Sequence, residues 1–311
     1  MNKLLILSVF VLLTGVSISC NRSGVEVPSF NGERAFTYLE KQVACGPRVP
    51  GSEAAEQCRQ FFYDFFDSLK IDVDTQSFDF VDPYSNRTLP LVNVVASITG
   101  TDPKADRIVL MAHYDSRPRA EYAVKPELRE TPIDGANDGA SGVAVLLELA
   151  ALMAEVQPAG SVDLVLVDCE DWGKPGDHDL YMIGSREFAN RGIRGKYRFG
   201  IVVDMIGDKS QQIYREGYSQ AYCRPVNDMV WEVAADLGIT TFHDSVGHSI
   251  LDDHLSLNTG GVPTIDIIDF DYPFWHTQRD TPDKCSALAL ENVGRVLARI
   301  IYDPSLWPSK L

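Results

Sequence analysis

Residues 107–116 read RIVLMAHYDS and residues 161–172 read SVDLVLVDCEDW. Each is an apolar, Val/Ile/Leu-rich run that stops abruptly in histidine or carboxylates. A strand covered on both faces has this composition, because neither side needs to meet water. A third run, GIVVDMI at 200–206, has the same character with Asp204 inside it. Further strand-like stretches lie near 76–81, 92–98 and 263–269. Helical periodicity occupies roughly 33–43, 52–70, 140–156, 184–191, 225–237 and 286–302. Strands alternating with helices predict an α/β fold with a mostly parallel central sheet, covered by helices on both faces. No internal repeat, low-complexity tract or linker interrupts the pattern, so residues 29–311 are expected to form a single domain.

The chemistry sits where these runs end. His113-Tyr114-Asp115-Ser116 closes the first run, and Asp168-Cys169-Glu170-Asp171-Trp172 closes the second. Gly135-Ala136-Asn137-Asp138-Gly139 opens the helix that carries Val143, Leu146, Leu147 and Ala150. Trp275-His276-Thr277 follows the run Thr264–Ile268. Open sheets bind ligands at the carboxyl ends of their strands. Mixed imidazole and carboxylate ligands without cysteine suit a catalytic zinc that keeps an open position. Read alone, Asp138 could instead be a helix N-cap. The long non-periodic stretches 113–137, 171–183, 207–224 and 241–262 are expected to be loops walling a pocket.

The 311 residues carry a net charge of -16, with a pI of about 4.7. That excludes a basic footprint for nucleic acid. Lys3, the apolar stretch Leu4–Leu13 and the small residues leading to Cys20 predict a signal peptide over 1–19. A stretch of ten residues is too short to span a bilayer. Ser17-Ile18-Ser19-Cys20 resembles a bacterial lipoprotein cleavage site. Cys20 would be the lipid anchor, the only membrane attachment, and 20–28 a polar tether. The expected location is the periplasm or cell envelope. Five cysteines remain after Cys20, an odd number, so at least one thiol is free. Cys169 is expected to be buried. Asn86-Arg87-Thr88 is a formal glycosylation acceptor with no use in a bacterial envelope protein.

From about Phe30 to Tyr302 these motifs, in this order, resemble the zinc aminopeptidase clan, and within it the glutaminyl-peptide cyclotransferases. Phe30-Asn31-Gly32, Cys45-Gly46-Pro47-Arg48-Val49-Pro50-Gly51 and His276-Thr277-Gln278-Arg279-Asp280 are similar to the secreted bacterial form. The resemblance implies one zinc per chain, held by Asp138, Asp171 and His276. It implies Glu170 as general acid/base, Asp204 near the site, and Asp252 of Asp252-Asp253-His254 beside the substrate amine. Trp275 is implied as an aromatic pocket wall. Three positions differ from the animal enzymes. Asp171 replaces Glu, Tyr181 stands roughly where a pocket Trp is usual, and Asp266 replaces a His and is expected to join a network with Asp252 and Glu170.

The implied reaction cyclises the N-terminal glutamine of peptides to pyroglutamate and releases ammonia. An alternative uses the same inventory. In a di-zinc aminopeptidase His113, Asp138, Asp171, Asp204 and His276 would hold two metals bridged by Asp138. The ligands alone do not separate the two. Asp252-Asp253-His254 and Trp275 favour the cyclase.

Overall fold

The computed structural model describes residues 18–20, 25–102 and 104–311. The readings made for residues 1–17 and 21–24, and for the side chain of Cys20, lie outside the described residues. Six strands form one sheet: β1 (Asp72–Val81), β2 (Thr88–Ile98), β3 (Arg107–His113), β4 (Ser161–Val167), β5 (Gly200–Asp204) and β6 (Thr264–Ile268). Their spatial order is β6-β5-β3-β4-β2-β1. The four strands β6, β5, β3 and β4 run parallel. β2 pairs antiparallel with β4, and β1 antiparallel with β2. The parallel strands are buried almost throughout, as their composition requires. β1 begins earlier than its reading at 76–81. It is an edge strand with a largely exposed, charged face, so Asp72 and Asp74 mask its start.

Helices α1 (Gly32–Ala44), α2 (Glu53–Ser68), α3 (Ala140–Glu155), α4 (Ile183–Asn190), α5 (Gly217–Tyr222), α6 (Arg224–Asp236), α7 (Asp253–Thr259) and α8 (Ala287–Tyr302) cover the sheet. Asn31 caps α1 by accepting from Arg34 N at 2.9 Å, and Ser52 caps α2 by accepting from Ala55 N at 3.1 Å. α3 lies between the sheet and the pair α1/α8, so Ala140 through Met153 are all buried. Its one buried charge, Glu148, is met by Arg34 at 2.9 Å. A Cβ on Gly142 would stand 2.2 Å from Val203 O, so only glycine lets α3 lie this close to β5. That approach brings the start of α3 to the ends of β3 and β5.

All four expected loops hold short elements, the one at 171–183 a single turn at His178–Leu180. Residues 207–224 contain the strand Ile213–Arg215 and α5, while 241–262 contain the strand Phe242–Val246 and α7. Segment 113–137 carries a single turn at Pro126–Leu128. Each is too short to show a period. Glu26–Pro28, read as part of a tether, is a short strand with Val27 packed against the main core. Among the described residues no helix is long and apolar enough to cross a membrane.

Glu216 ties α5, α7 and the segment between them together. It accepts from Tyr218 N (2.9 Å), Ser219 N (2.6 Å) and Ile250 N (2.9 Å), and its Oε2 lies 3.2 Å from His254 Nε2. Burial works against its charge, but the His254 contact and the backbone donors prevail and hold its carboxyl at about 2. A depressed folded value stabilises the protein above the ordinary carboxylate range, and the benefit is lost as pH falls towards 2. The stability gap between wild type and Glu216→Gln, measured by urea unfolding, is therefore present above pH ~5 and shrinks at lower pH. A gap independent of pH would contradict this role.

Candidate metal centre

The site is built at the carboxyl ends of the parallel strands. His113 ends β3, Glu170 and Asp171 follow β4, Asp204 ends β5, and His276 lies in the segment after β6. Asp138 arrives from the other side, just before α3. The N-cap of that helix is Gly139, with no side-chain cap, so the Asp138 carboxylate is not spent on capping. A Cβ on Gly139 would lie 2.5 Å from His113 Cε1. A glycine there lets the chain cross the imidazole and deliver Asp138 beside it. Cys169 (φ 58°), Met205 (φ 47°) and His276 (φ 52°) adopt left-handed backbone at the three corners where the chain leaves the site. Such strain in non-glycine residues concentrates where side chains must be aimed.

Two triads of buried ligand atoms share Asp138. In one, His276 Nε2 lies 3.6 Å from Asp138 Oδ2 and 3.3 Å from Asp171 Oδ2. In the other, His113 Nε2 lies 3.3 Å from Asp138 Oδ1 and 3.1 Å from Asp204 Oδ1. The triads differ in how far their atoms are already satisfied. Asp138 Oδ2 and Asp171 Oδ2 have no hydrogen-bond partner among the described residues. Asp204 Oδ1 accepts from Met205 N at 2.8 Å and is closed on His113. Buried carboxylate oxygens without donors are costly, and a divalent cation is the partner that this donor set suits. The residues present therefore fit a zinc ion.

Asp138, Glu170, Asp171, Asp204, Asp252, Tyr181, Trp275 and His276 line one cavity of about 60 Å³. A wider vestibule of about 260 Å³ continues from it, lined by Arg117, Tyr122, Tyr181, Phe270 and Trp275. The aromatic wall is continuous. Tyr122 stacks on His276 with centroids 5.8 Å apart, and Trp275 lies 5.0 Å from Phe270. Asp252 caps α7 through Asp253 N, while its Oδ2 is buried without a partner. The segment Asp252-Asp253-His254 is buried rather than an exposed turn. Asp266 does not reach the cavity. It lies within β6 near Asp252, its two carboxylate oxygens buried without a hydrogen-bond partner among the described residues, and His254 Nδ1 is 3.9 Å from its Oδ2.

The charges are unevenly settled. Burial, then Asp171 beside it, pushes the Glu170 carboxyl well above the ordinary range. Burial also opposes the Asp171 charge, but the Arg117 guanidinium and His276 outweigh it and hold that carboxyl well below the usual range. Burial and the adjacent Asp252 push Asp266 well up.

Three supporting residues escaped the sequence reading. Asp115 accepts from Glu170 N (3.0 Å) and Asp171 N (3.2 Å) and faces His113 Nδ1 at 3.4 Å. Asp280 accepts from Asn137 N (2.8 Å), Asp138 N (3.2 Å) and the Tyr272 hydroxyl (2.8 Å). Arg117, fully buried, pairs with Asp171 and Glu121 and donates to Tyr181 Oη at 3.1 Å. Asp115 and Asp280 lie inside motifs already singled out, and Arg117 one residue beyond one of them. Their position was visible, their partners were not.

The chain is similar to several known proteins. A family model described as peptidase family M28 matches residues 93–301. A glutaminyl cyclase from Bacteroides thetaiotaomicron, bound to N-acetylhistamine, is 34% identical with a TM-score of 0.83, covering 89% of this chain and 99% of that one. A crystal structure described as a leucine aminopeptidase precursor from the same organism is 35% identical with a TM-score of 0.84, covering 90% and 99%. A probable zinc metalloprotease of Leptosphaeria maculans is 31% identical over 136 residues, which are 43% of this chain and 30% of the fungal protein.

Removing the guanidinium beside Asp171 should weaken metal binding. Arg117→Met is expected to lower zinc affinity by roughly ten- to a hundredfold in competition with a chelator, with Arg117→Lys intermediate. Wild-type affinity in Arg117→Met would show that the pair is structural only.

Proposed function

The chain belongs to peptidase family M28, and from that membership we propose that it is a glutaminyl-peptide cyclotransferase using one zinc ion per chain. It would convert the N-terminal glutamine of peptides and proteins to pyroglutamate with release of ammonia. The observation that carries this reading is the asymmetry of the two triads. The unpartnered oxygens belong to Asp138 and Asp171 beside His276, whereas Asp204 is already closed on His113. One metal position fits a cyclase, and the aromatic wall fits a reaction that needs no attacking water. The glutaminyl cyclase of Bacteroides thetaiotaomicron, alike over nearly its whole length, supports the same reading.

Zinc held by Asp138, Asp171 and His276 would supply Lewis acidity towards the γ-carbonyl oxygen of the substrate glutamine. The remaining steps fall to this chain's own groups. Asp252 Oδ2, buried in the cavity wall without a donor, accepts from the substrate α-amine and holds it against the γ-carbon. Glu170 takes a proton from that amine as the ring closes and returns it to the departing ammonia. Its buried setting favours the protonated form it needs for the second half of that cycle. Trp275, Phe270 and Tyr181 pack on the side chain and limit water. Because nucleophile and electrophile belong to one molecule, holding the reactive conformation is the main task of the pocket.

A di-zinc aminopeptidase is the second reading, favoured by the His113–Asp138–Asp204 triad and by the likeness to a leucine aminopeptidase precursor. In that case His113 and Asp204 hold a second metal. We also propose, from the leader sequence, that the enzyme is an envelope lipoprotein anchored at Cys20.

Purified protein is offered two peptides, one beginning with Gln and one with Leu, and the products are read by mass spectrometry. Loss of ammonia from the Gln peptide alone supports the cyclase. Loss of the terminal residue from either peptide replaces it with the aminopeptidase. Glu170→Gln is expected to lower kcat by at least a hundredfold while zinc stays bound. Activity within a few-fold of wild type would remove Glu170 from the proton path.

A further inference from the structure

We infer that Cys45 and Cys58 are a redox-modification site. The pair is oxidised to a disulfide by exchange with a small-molecule disulfide, and the new bond fixes the segment that braces the metal cavity. Neither thiol lies in the cavity or takes part in the chemistry proposed for it. Cys45 ends α1, and Cys58 lies within α2. The helices bring the two thiols close enough to interact, with Cys45 Sγ also donating to Lys41 O at 3.5 Å. Cys58 is fully buried in the main core, and Cys45 is half-buried at its edge, within reach of a small reagent. Cys169, Cys223 and Cys285 are buried on other elements.

The segment between the two cysteines gives the bond its consequence. Arg48 is fully buried and reaches across to the site. Its guanidinium donates to Tyr114 O (2.8 Å), Asp134 O (2.6 Å) and Gly135 O (2.7 Å). Ser116 N in turn donates to Arg48 O at 3.2 Å. Those carbonyls belong to the two segments that deliver His113 with Asp115, and Asp138. A Cys45–Cys58 bond closes a short loop around Arg48 and limits how far this brace can open.

The two thiols divide the exchange between them. The neighbouring Cys58 thiol and the nearby Arg48 charge bring the Cys45 thiol down to about 7, so it is the readier thiolate. Burial pushes the Cys58 thiol well up. Cys45 thiolate attacks one sulfur of oxidised glutathione, forming a mixed disulfide and expelling one glutathione thiolate, which takes up a proton. Cys58 then loses its proton and attacks Cys45 Sγ, expelling the second glutathione. The protein gives up two electrons and two protons, and one glutathione disulfide becomes two thiols.

The test treats zinc-loaded full-length protein with oxidised glutathione, then uses intact mass, peptide mapping and amide hydrogen exchange. The expected result is loss of two hydrogens, a Cys45–Cys58 linked peptide, and a melting temperature raised by about 5 °C. Exchange should slow in residues 45–51 and 114–116. Cys45→Ser should abolish all of these changes, and Cys58→Ala provides a second variant should one fold poorly. A stable glutathione adduct on Cys45 without the cross-link, or no oxidation at all, overturns the proposal. A cross-link that leaves exchange in 114–116 unchanged overturns its connection to the cavity.

Discussion

Burying more carboxylates than cations in one place is the constraint on which this structure turns. Asp138, Glu170, Asp171, Asp204 and Asp252 all face one small cavity, with Asp266 directly behind. Against them stand His113, His276 and the guanidinium of Arg117. In a low-dielectric interior such a cluster would disperse, protonate or recruit a cation. Burial pushes the carboxyls of Glu170 and Asp266 well above the ordinary range, and Arg117 pairs with Asp171. What is left is the unpartnered pair of oxygens on Asp138 and Asp171, which a zinc ion would complete.

Holding such a cluster in place requires a stiff frame, and the frame is largely polar. Asp115 grips the backbone of Glu170 and Asp171, Asp280 grips that of Asn137 and Asp138, and Arg48 clamps the carbonyls of Tyr114, Asp134 and Gly135. Each acts mainly on main chain, with Asp115 also meeting His113 Nδ1 and Asp280 the Tyr272 hydroxyl. The ligands are thus positioned through the backbone, as supporting groups around metal sites commonly do. Close helix–sheet packing at Gly142 and Gly139 completes the arrangement by letting α3 start directly over His113.

The fold was legible because buried parallel strands leave an unmistakable mark. The runs that became β3, β4, β5 and β6 are apolar almost without break, and the ligands stand at their ends. β1 was read short because an edge strand alternates with charge, and α5 and α7 were missed because six or seven residues show no period. The segments that meet at the cavity were also legible, and the three residues that the family resemblance grouped, Asp138, Asp171 and His276, do come together there with Trp275 and Tyr181 in the lining. Asp266 was expected in a hydrogen-bond network with Asp252 and Glu170; it stands outside the cavity lining, its carboxylate oxygens without a partner among the described residues. Arg117 was invisible because nothing in an arginine two residues after Asp115 announces that it will fold back onto Asp171. Long-range pairs of that kind are decided by tertiary geometry.

The most direct measurement of the central claim is zinc stoichiometry by native mass spectrometry, for wild type, Asp171→Asn and Asp204→Asn. The account predicts one tightly held zinc in the wild type, lost or much weakened in Asp171→Asn and retained in Asp204→Asn. Two zinc ions in the wild type, one of them lost in Asp204→Asn, would contradict it and make both triads metal sites.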